Sequence, residues 1–452
     1  QNSLNDPAVF RAAVSRLTNQ ICNFLGFTRL ASRTYKHLHG FVVEGLALRL
    51  RIPSRFPIIF VRKADPGPDD ILDMHNLMDV LHMTGYFALA IVFGEHFLGP
   101  SPAAKLKALA KASARDLVIL DFDDLFHTII ARHRERHLTQ LLLQQVDLSV
   151  VSPYVIHGPV PENMFFGREY EIKTITRTIQ NQSFAVVGGR KIGKTSVLTK
   201  IARLLRDTPG YLPLYLDCQA IQDEEAFGEA LCTRWQINLP KPWEADSFAQ
   251  ALQAVRAGKA EVLPVVLLDE VDMLLAYDVS RQEKLFRVFR ALSQENRCRF
   301  VFCGERILNA RLQDAESPLF NFGEVLRLGF LTPEAIRQIV LEPMQELGVL
   351  VEDPDALVER IGEMSSGHPN LVQYICQQLL VHISGKEPLC ISLDALESVI
   401  RSRYFAEYAL ATIWGSADPL EKIITLLMIE HPLVTGEELL ARLGEIGLRV
   451  GR

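Results

Sequence analysis

The stretch Gly188-Gly189-Arg190-Lys191-Ile192-Gly193-Lys194-Thr195 decides the reading of this chain. It fits G-x-x-x-x-G-K-[ST], follows the apolar run Phe184-Ala185-Val186-Val187 and precedes Ser196-Val197-Leu198-Thr199-Lys200-Ile201. Strand, glycine loop, helix is the context a phosphate-binding loop requires. Glycines let the backbone curl until its N–H groups face a phosphate, and the helix N-terminus adds partial positive charge. Residues Gly188 to Ser196 then form the cradle, with Lys194 reaching the β- and γ-phosphates and Thr195 holding Mg²⁺. The plainer alternative is an ordinary glycine-rich turn. A nucleoside triphosphate is the expected ligand.

A second signature lies about eighty residues downstream. Val265-Val266-Leu267-Leu268-Asp269-Glu270-Val271-Asp272 is an apolar run ending in acids. A strand buried in a parallel sheet delivers its last residues to the C-terminal edge, where ligands bind in open α/β sheets. Asp269 is placed there to hold Mg²⁺ through water, and Glu270 to orient or deprotonate an attacking water. Alone, the run also reads as a strand followed by an acidic turn.

With both motifs in place, residues 152–452 resemble the STAND class of signal-transduction ATPases, relatives of the AAA+ ATPases. Phe165-Phe166-Gly167-Arg168-Glu169 resembles the entry motif of that class, and Gly367-His368-Pro369 its lid motif. The resemblance implies that Phe166, Gly167 and Arg168 lie beside adenine and ribose, and that Pro369 packs on the base. It places a phosphate-sensing residue at Arg306, just past the run Arg299–Phe302. It also implies bound ATP or ADP with Mg²⁺, slow hydrolysis, and homo-oligomers on activation by an unidentified protein or ligand. Its sensing part is expected beyond Arg452. Local chemistry offers other readings. Gly167-Arg168-Glu169 can simply open a helix with an acid at its positive end. Gly367-His368-Pro369 can be a helix stop and restart. Arg306 can be a solvated arginine. Cys303-Gly304-Glu305-Arg306 departs from the T-T-R form of the class. Arg287, Arg290, Arg297 and Arg311 all lie where an arginine finger is sought.

Length and composition set the frame. A chain of 452 residues implies two to four domains. The net charge of −6 gives no basic footprint, so bulk electrostatics offer nucleic acid no support. The seven cysteines are scattered and odd in number, which reads as buried reduced thiols in a cytoplasmic protein. No apolar run approaches the ~18 residues of a membrane span, and no signal peptide is visible.

Periodicity divides the chain into four parts. Residues 1–150 read as an α/β module of unknown role with the start of a linker, its helices expected over Pro7–Phe27, Pro68–Met83, Ala103–Ala114 and Leu125–Gln144. Its strands are expected over Phe41–Ile52, Pro57–Val61, Tyr86–Phe93 and Asp116–Leu120, in a mostly parallel sheet. Residues 151–330 read as the P-loop nucleotide-binding domain, 331–385 as a helical lid, and 386–452 as a winged-helix-like domain cut short at Arg452. In the last part Leu420–Glu430 and Thr435–Leu443, joined by His431-Pro432-Leu433-Val434, look like a helix-turn-helix. Arg132-His133-Arg134-Glu135-Arg136-His137 reads as a solvated helix face rather than a nucleic-acid stripe. Asp123 or Asp124 reads as a helix N-cap rather than a metal ligand.

The fold class is therefore α/β: an AAA+-like parallel sheet with helical lid and winged helix, preceded by a separate α/β module. The function expected is a nucleotide-dependent switch that couples ATP or ADP state to conformation and assembly in signalling or defence. Two alternatives stand. One is a DNA-associated initiator or loader ATPase, against which Thr435–Leu443 offers only Arg442 beside Glu437 and Glu438. The other is an ATPase controlling an N-terminal effector enzyme.

Overall fold

The computed structural model describes residues 7–45, 52–63, 65–83, 87–93, 101–111, 113, 116–146, 148–239, 241–257, 262–384, 386, 388–415, 417–430 and 434–448. The chain divides into two compact units. One runs up to Val155 and includes Arg337–Val358 and Cys376–Leu396; the other comprises Ile156–Ile336, Glu359–Ile375 and Glu397–Arg452.

The first unit begins with α1 (Pro7–Leu25), then β1 (Thr28–Tyr35), β2 (Leu38–Glu44), β3 (Arg55–Arg62), α2 (Pro68–Val80), β4 (Phe87–Phe93), α3 (Pro102–Ala110), β5 (Asp116–Leu120), α4 (Phe122–Ile130), α5 (Arg134–Leu143) and the short α6 (Leu148–Val151). The sheet order follows the chain, β1-β2-β3-β4-β5. It is mixed rather than mostly parallel: β1/β2 and β2/β3 are antiparallel, β3/β4 and β4/β5 parallel. The cause is local. Tyr35 and Leu38 pair across a two-residue turn with Lys36 in the left-handed region, and so tight a connection joins only antiparallel strands. One sheet face, with Val42, Ile59, Val61 and Ala90, is covered by α2 and α3 through Met74, Leu77 and Leu106. On the other, Phe10 of α1 meets Phe93 edge-on, and Phe93 stacks on Phe60.

Three further expectations change here. The helix expected over Leu125–Gln144 is two helices, because Ala131 and His133 leave helical geometry and the chain folds back until Thr128 Oγ lies 2.9 Å from His137 Nδ1. The cap of α4 is Asp121, which accepts from Asp124 N at 2.7 Å; Asp124 returns the bond as the third helical residue. The expected strand Phe41–Ile52 ends at Glu44, and its part over 46–51 lies outside the described residues, as do Tyr86, Ala112 and Ala114 of other expected elements.

The second unit starts with α7 (Glu169–Thr178), β6 (Phe184–Gly188), α8 (Lys194–Arg206), β7 (Tyr211–Asp217), α9 (Glu224–Trp235), α10 (Ser247–Arg256), β8 (Leu263–Asp269), α11 (Asp272–Ser280), α12 (Lys284–Gln294), β9 (Arg299–Gly304), α13 (Arg306–Gln313) and β10 (Glu324–Leu328). Its sheet is parallel throughout, in the order β10-β6-β9-β8-β7. Strand alternation sorts two cores. Phe184, Val186, Val265, Leu267, Val301 and Cys303 face α7 and α8. Val187, Val266, Leu268, Phe300 and Phe302 face the layer of α9 to α13. Phe248 and Phe289 meet in that second core at 4.7 Å, edge to face.

Helices then dominate: α14 (Pro333–Glu346), α15 (Pro354–Ser365), α16 (Pro369–Ile383), α17 (Leu393–Ile400), α18 (Arg403–Ile413), α19 (Pro419–Glu430) and α20 (Gly436–Glu445). Two-residue strands β11 (Leu350–Val351) and β12 (Cys390–Ile391) pair in parallel. Thr435 caps α20 in a box with Glu438. Residues 431–433 of the expected helix-turn-helix connector, and the end of the chain at Gly451-Arg452, lie outside the described residues.

Candidate nucleotide site

Because the five strands run parallel, β6, β8 and β9 bring their C-terminal ends to one edge. Gly188 ends β6, and the chain turns into α8 through Lys191 at φ +56° and Gly193 at φ +99°. Gly193 is the N-cap of α8, so the first free N–H groups of that helix face the loop. Ile192 is buried and pins the loop to the core shared with α7 and α8. Lys194 is only 4% exposed. Its Nζ donates to Gly189 O at 3.0 Å and to Glu305 Oε1 at 2.7 Å. A buried ammonium needs such partners, because an unpaired buried charge is costly.

Glu305 is the residue that sequence reasoning passed over. It lies one position past β9, and the same alternation that turns Val301 and Cys303 toward α8 brings Glu305 to Lys194. Arg306 goes elsewhere: it pairs with Asp418 at 3.3 Å and with Glu421 at 2.5 Å, and is 52% exposed. The turn that carries Glu305 is fixed by Asp272, whose carboxylate accepts from the N–H groups of Glu305 at 2.6 Å and Ile307 at 2.7 Å. Any side chain at Gly304 would overlap that carboxylate.

Asp269 ends β8 and is buried. It accepts from Tyr215 Oη at 3.2 Å and from Glu270 N at 3.0 Å. Burial and the Asp269 charge push the Tyr215 phenol up, which keeps it a donor. Glu270 has left-handed backbone at φ +50°, a strained choice for a residue with a side chain and one found at functional sites. Burial raises its pKa and Lys194 opposes the rise, while Asp269, Glu305 and Asp272 add to it. Thr195, half-buried in the first turn of α8, and Asp269 supply hard oxygen donors, the donor set suited to Mg²⁺. Ser196 is engaged differently, accepting from Val160 N at 3.2 Å.

The entry motif reaches the back of the loop. Arg168 is buried and donates to Ile192 O at 3.3 Å and to Gly329 O at 2.6 Å. Gly167 has φ +72°, and a Cβ there would overlap Ala335. Phe166 is half-buried just before it. At the lid motif Gly367 has φ +74°, Pro369 is the first residue of α16, and the ring of buried His368 lies 3.3 Å by Nε2 from Arg190 O. Burial lowers the His368 pKa, so the neutral ring donates its Nε2–H to that carbonyl. Asn370 donates to Ile156 O at 2.9 Å and accepts from Tyr408 Oη at 2.6 Å. The Tyr408 ring stacks on Tyr374 at 3.8 Å and takes Lys191 at 4.8 Å from its centroid. Of the finger candidates, Arg311 is tied to Glu283 and Asp314, and Arg290 to the carbonyls of Pro318 and Phe320.

Residues 178–312 match the family model described as AAA domain. Those residues thus form a P-loop domain of AAA type. No curated protein sequence matches it. Among solved structures it is similar to the Walker-type ATPase of Pyrococcus abyssi, at 15% identity over 66% of this chain and 89% of that one, with a TM-score of 0.49. The ORC2 protein of Aeropyrum pernix in its ADPNP-ADP complexes is 16% identical over 65% and 85%, with a TM-score of 0.46. The RuvB Holliday junction branch migration motor of Thermotoga maritima is 16% identical over 63% and 83%, with a TM-score of 0.38.

Proposed function

We propose that the protein is a nucleotide-gated switch of the STAND kind, hydrolysing ATP slowly and reporting nucleotide state through its C-terminal helices. The observation that carries this reading is the contact of α18 with the phosphate loop: Tyr408 holds Lys191 through ring and hydroxyl, at 4.8 and 3.4 Å. A loop that must wrap a triphosphate is thereby tied to a helix more than two hundred residues away in sequence. His368 on Arg190 and the Arg306 pairs with Asp418 and Glu421 add two further ties.

In this reading Lys194 leaves Glu305 for the β- and γ-phosphates, and the backbone amides of 189–195 take up the rest of the charge. Thr195 and Asp269 would hold Mg²⁺, which would supply charge neutralisation at the phosphates. Glu270 accepts a proton from the attacking water. The resulting shift in the loop is passed to α18 and α19, whose release frees surface for self-association.

Size-exclusion chromatography with light scattering in ADP, ATP and a non-hydrolysable ATP analogue tests this. The assembly state should change between ADP and the analogue, and Lys194→Ala should lose both that change and measurable ATP binding, a drop of about 100-fold or more. One mass in all three nucleotides would overturn the switch and leave a plain ATPase.

A further inference from the structure

A loop that cradles phosphate has to present N–H groups and turn its carbonyls away from the anion. In a planar trans peptide the C=O and the next N–H point in opposite directions. Whatever holds a loop carbonyl therefore aims the amide that follows it. Two carbonyls of the loop are held by side chains from outside it. Arg168 Nη2 donates to Ile192 O at 3.3 Å, and His368 Nε2 lies 3.3 Å from Arg190 O. The amides aimed by these bonds are those of Gly193 and Lys191. Both residues have positive φ, +99° and +56°, with Ile192 between them outside that region. Such alternation is how neighbouring N–H groups converge into an anion-binding nest. The carbonyl of Gly189 turns the other way, to Lys194 Nζ at 3.0 Å.

Both holders are fixed in their turn. Arg168 is buried, and its Nη2 also donates to Gly329 O at 2.6 Å. Gly329 follows β10, whose Leu328 pairs with Gly188 at the start of the loop. One guanidinium thus joins the exit of β10 to the loop beside it. His368 is buried in a turn whose Gly367 O accepts from Leu331 N at 2.8 Å. A Cβ on Gly367 would come within 2.8 Å of Leu331 O, so the turn lies against the same strand exit. His368 Nδ1 is buried without a hydrogen-bond partner. Because Nε2 faces a carbonyl it carries the proton, and the unpartnered nitrogen is an acceptor. The single bond that this ring donates goes to the loop. A buried ring with one nitrogen unsatisfied is a poor choice for stability alone.

We infer that Arg168 and His368 are positioning residues that preset the amides of Gly193 and Lys191 for phosphate, given the reading of this loop as a phosphate cradle. One reaches the loop from the entry segment and the other from the lid turn. Arg168 thereby serves the phosphates rather than the base and ribose, beside which the resemblance places it. The lid turn becomes part of the phosphate site: when it moves off, Arg190 O is released and Lys191 N–H loses its aim. By reciprocity, bound phosphate holds the turn in place.

Isothermal titration of the full chain with ADP and with inorganic tripolyphosphate, which has no base, tests this. His368→Ala should weaken both ligands about tenfold, the worth of one hydrogen bond to a charged group. His368→Gln should recover most of that loss, because its Nε2 still donates to Arg190 O. Arg168→Ala should weaken both ligands by similar factors, about tenfold or more. Melting curves without ligand accompany each variant, and if Arg168→Ala does not fold, the two His368 variants decide. Three results would overturn the positioning role. His368→Ala could bind tripolyphosphate like wild type; His368→Gln could bind as weakly as His368→Ala; or Arg168→Ala could lose ADP alone, which returns Arg168 to the base. Failure of the cradle itself looks different: wild type would then bind neither ligand.

Discussion

Two five-stranded sheets with helices packed on them occur in this molecule, and lysines and acids follow strands in both. In the sheet of the second unit the parallel order brings Gly188, Asp269 and Glu305 to one edge, where Lys194 meets the Glu305 carboxylate at 2.7 Å. In the sheet of the first unit two of the four pairings are antiparallel, yet only β2 runs against the rest, so β1, β3, β4 and β5 also end at one edge. The same residue types are then neutralised locally: Lys63 pairs with Asp70 at 2.9 Å, and Asp121 and Asp124 cap a helix. Both sheets gather strand ends at an edge; the loop with Gly193 at φ +99° and the α8 N-terminus that follow β6, more than strand direction, turn that edge into a site in the second unit.

The largest effect that tests this contrast is at Glu270. Glu270→Gln should leave ATP binding intact and lower kcat about 100-fold, within the usual worth of a positioned base. Asp124→Asn in the other unit should leave turnover unchanged. Burial raises the Glu270 pKa, so its carboxylate form is lost at a higher pH than that of an ordinary glutamate. As pH falls through that raised value kcat falls with it, and the glutamine variant should lack this acid limb. Equal turnover by Glu270→Gln and wild type would remove the base from Glu270.

Much of this second unit is legible in sequence because its strands are buried on both faces and read as apolar runs. The apolar runs Phe184–Val187, Val265–Leu268 and Arg299–Phe302 all fall inside β6, β8 and β9. β1 escaped because Thr28–Tyr35 is an exposed edge strand without apolar alternation. The break between α4 and α5 escaped because no Gly or Pro marks it; the apolar period runs on through Ile130, and only tertiary contact folds the chain back. Glu305 was legible in principle. Counting by twos along β9 from Val301 and Cys303 reaches Glu305, whereas a position inferred by resemblance reached Arg306.

That one-residue difference gives the next test. Nucleotide must displace Glu305 from Lys194, so Glu305→Gln should tighten ATP binding by about tenfold, the worth of one charged hydrogen bond. Arg306→Gln breaks only half-exposed pairs and should shift affinity less than about twofold. Titration with a fluorescent ATP analogue reads both. A larger change from Arg306 than from Glu305 would return the phosphate contact to Arg306.

The smallest effect lies in the first unit and concerns Asp121. If its carboxylate only satisfies the N–H of Asp124 at the start of α4, Asp121→Ala costs about 1 kcal/mol, the usual worth of a cap, and Asp121→Asn or Asp121→Ser recovers most of it. Asp124→Ala should cost a similar amount, since it removes both the returning bond to Asp121 N and the pair with Lys107 at 2.9 Å. Denaturant melts of the full chain, followed by probes in each unit, separate this from any change in ATP affinity, which should be nil. A loss that asparagine and serine fail to rescue would mean that the charge itself matters at that strand end, and the contrast between the two sheets would then narrow.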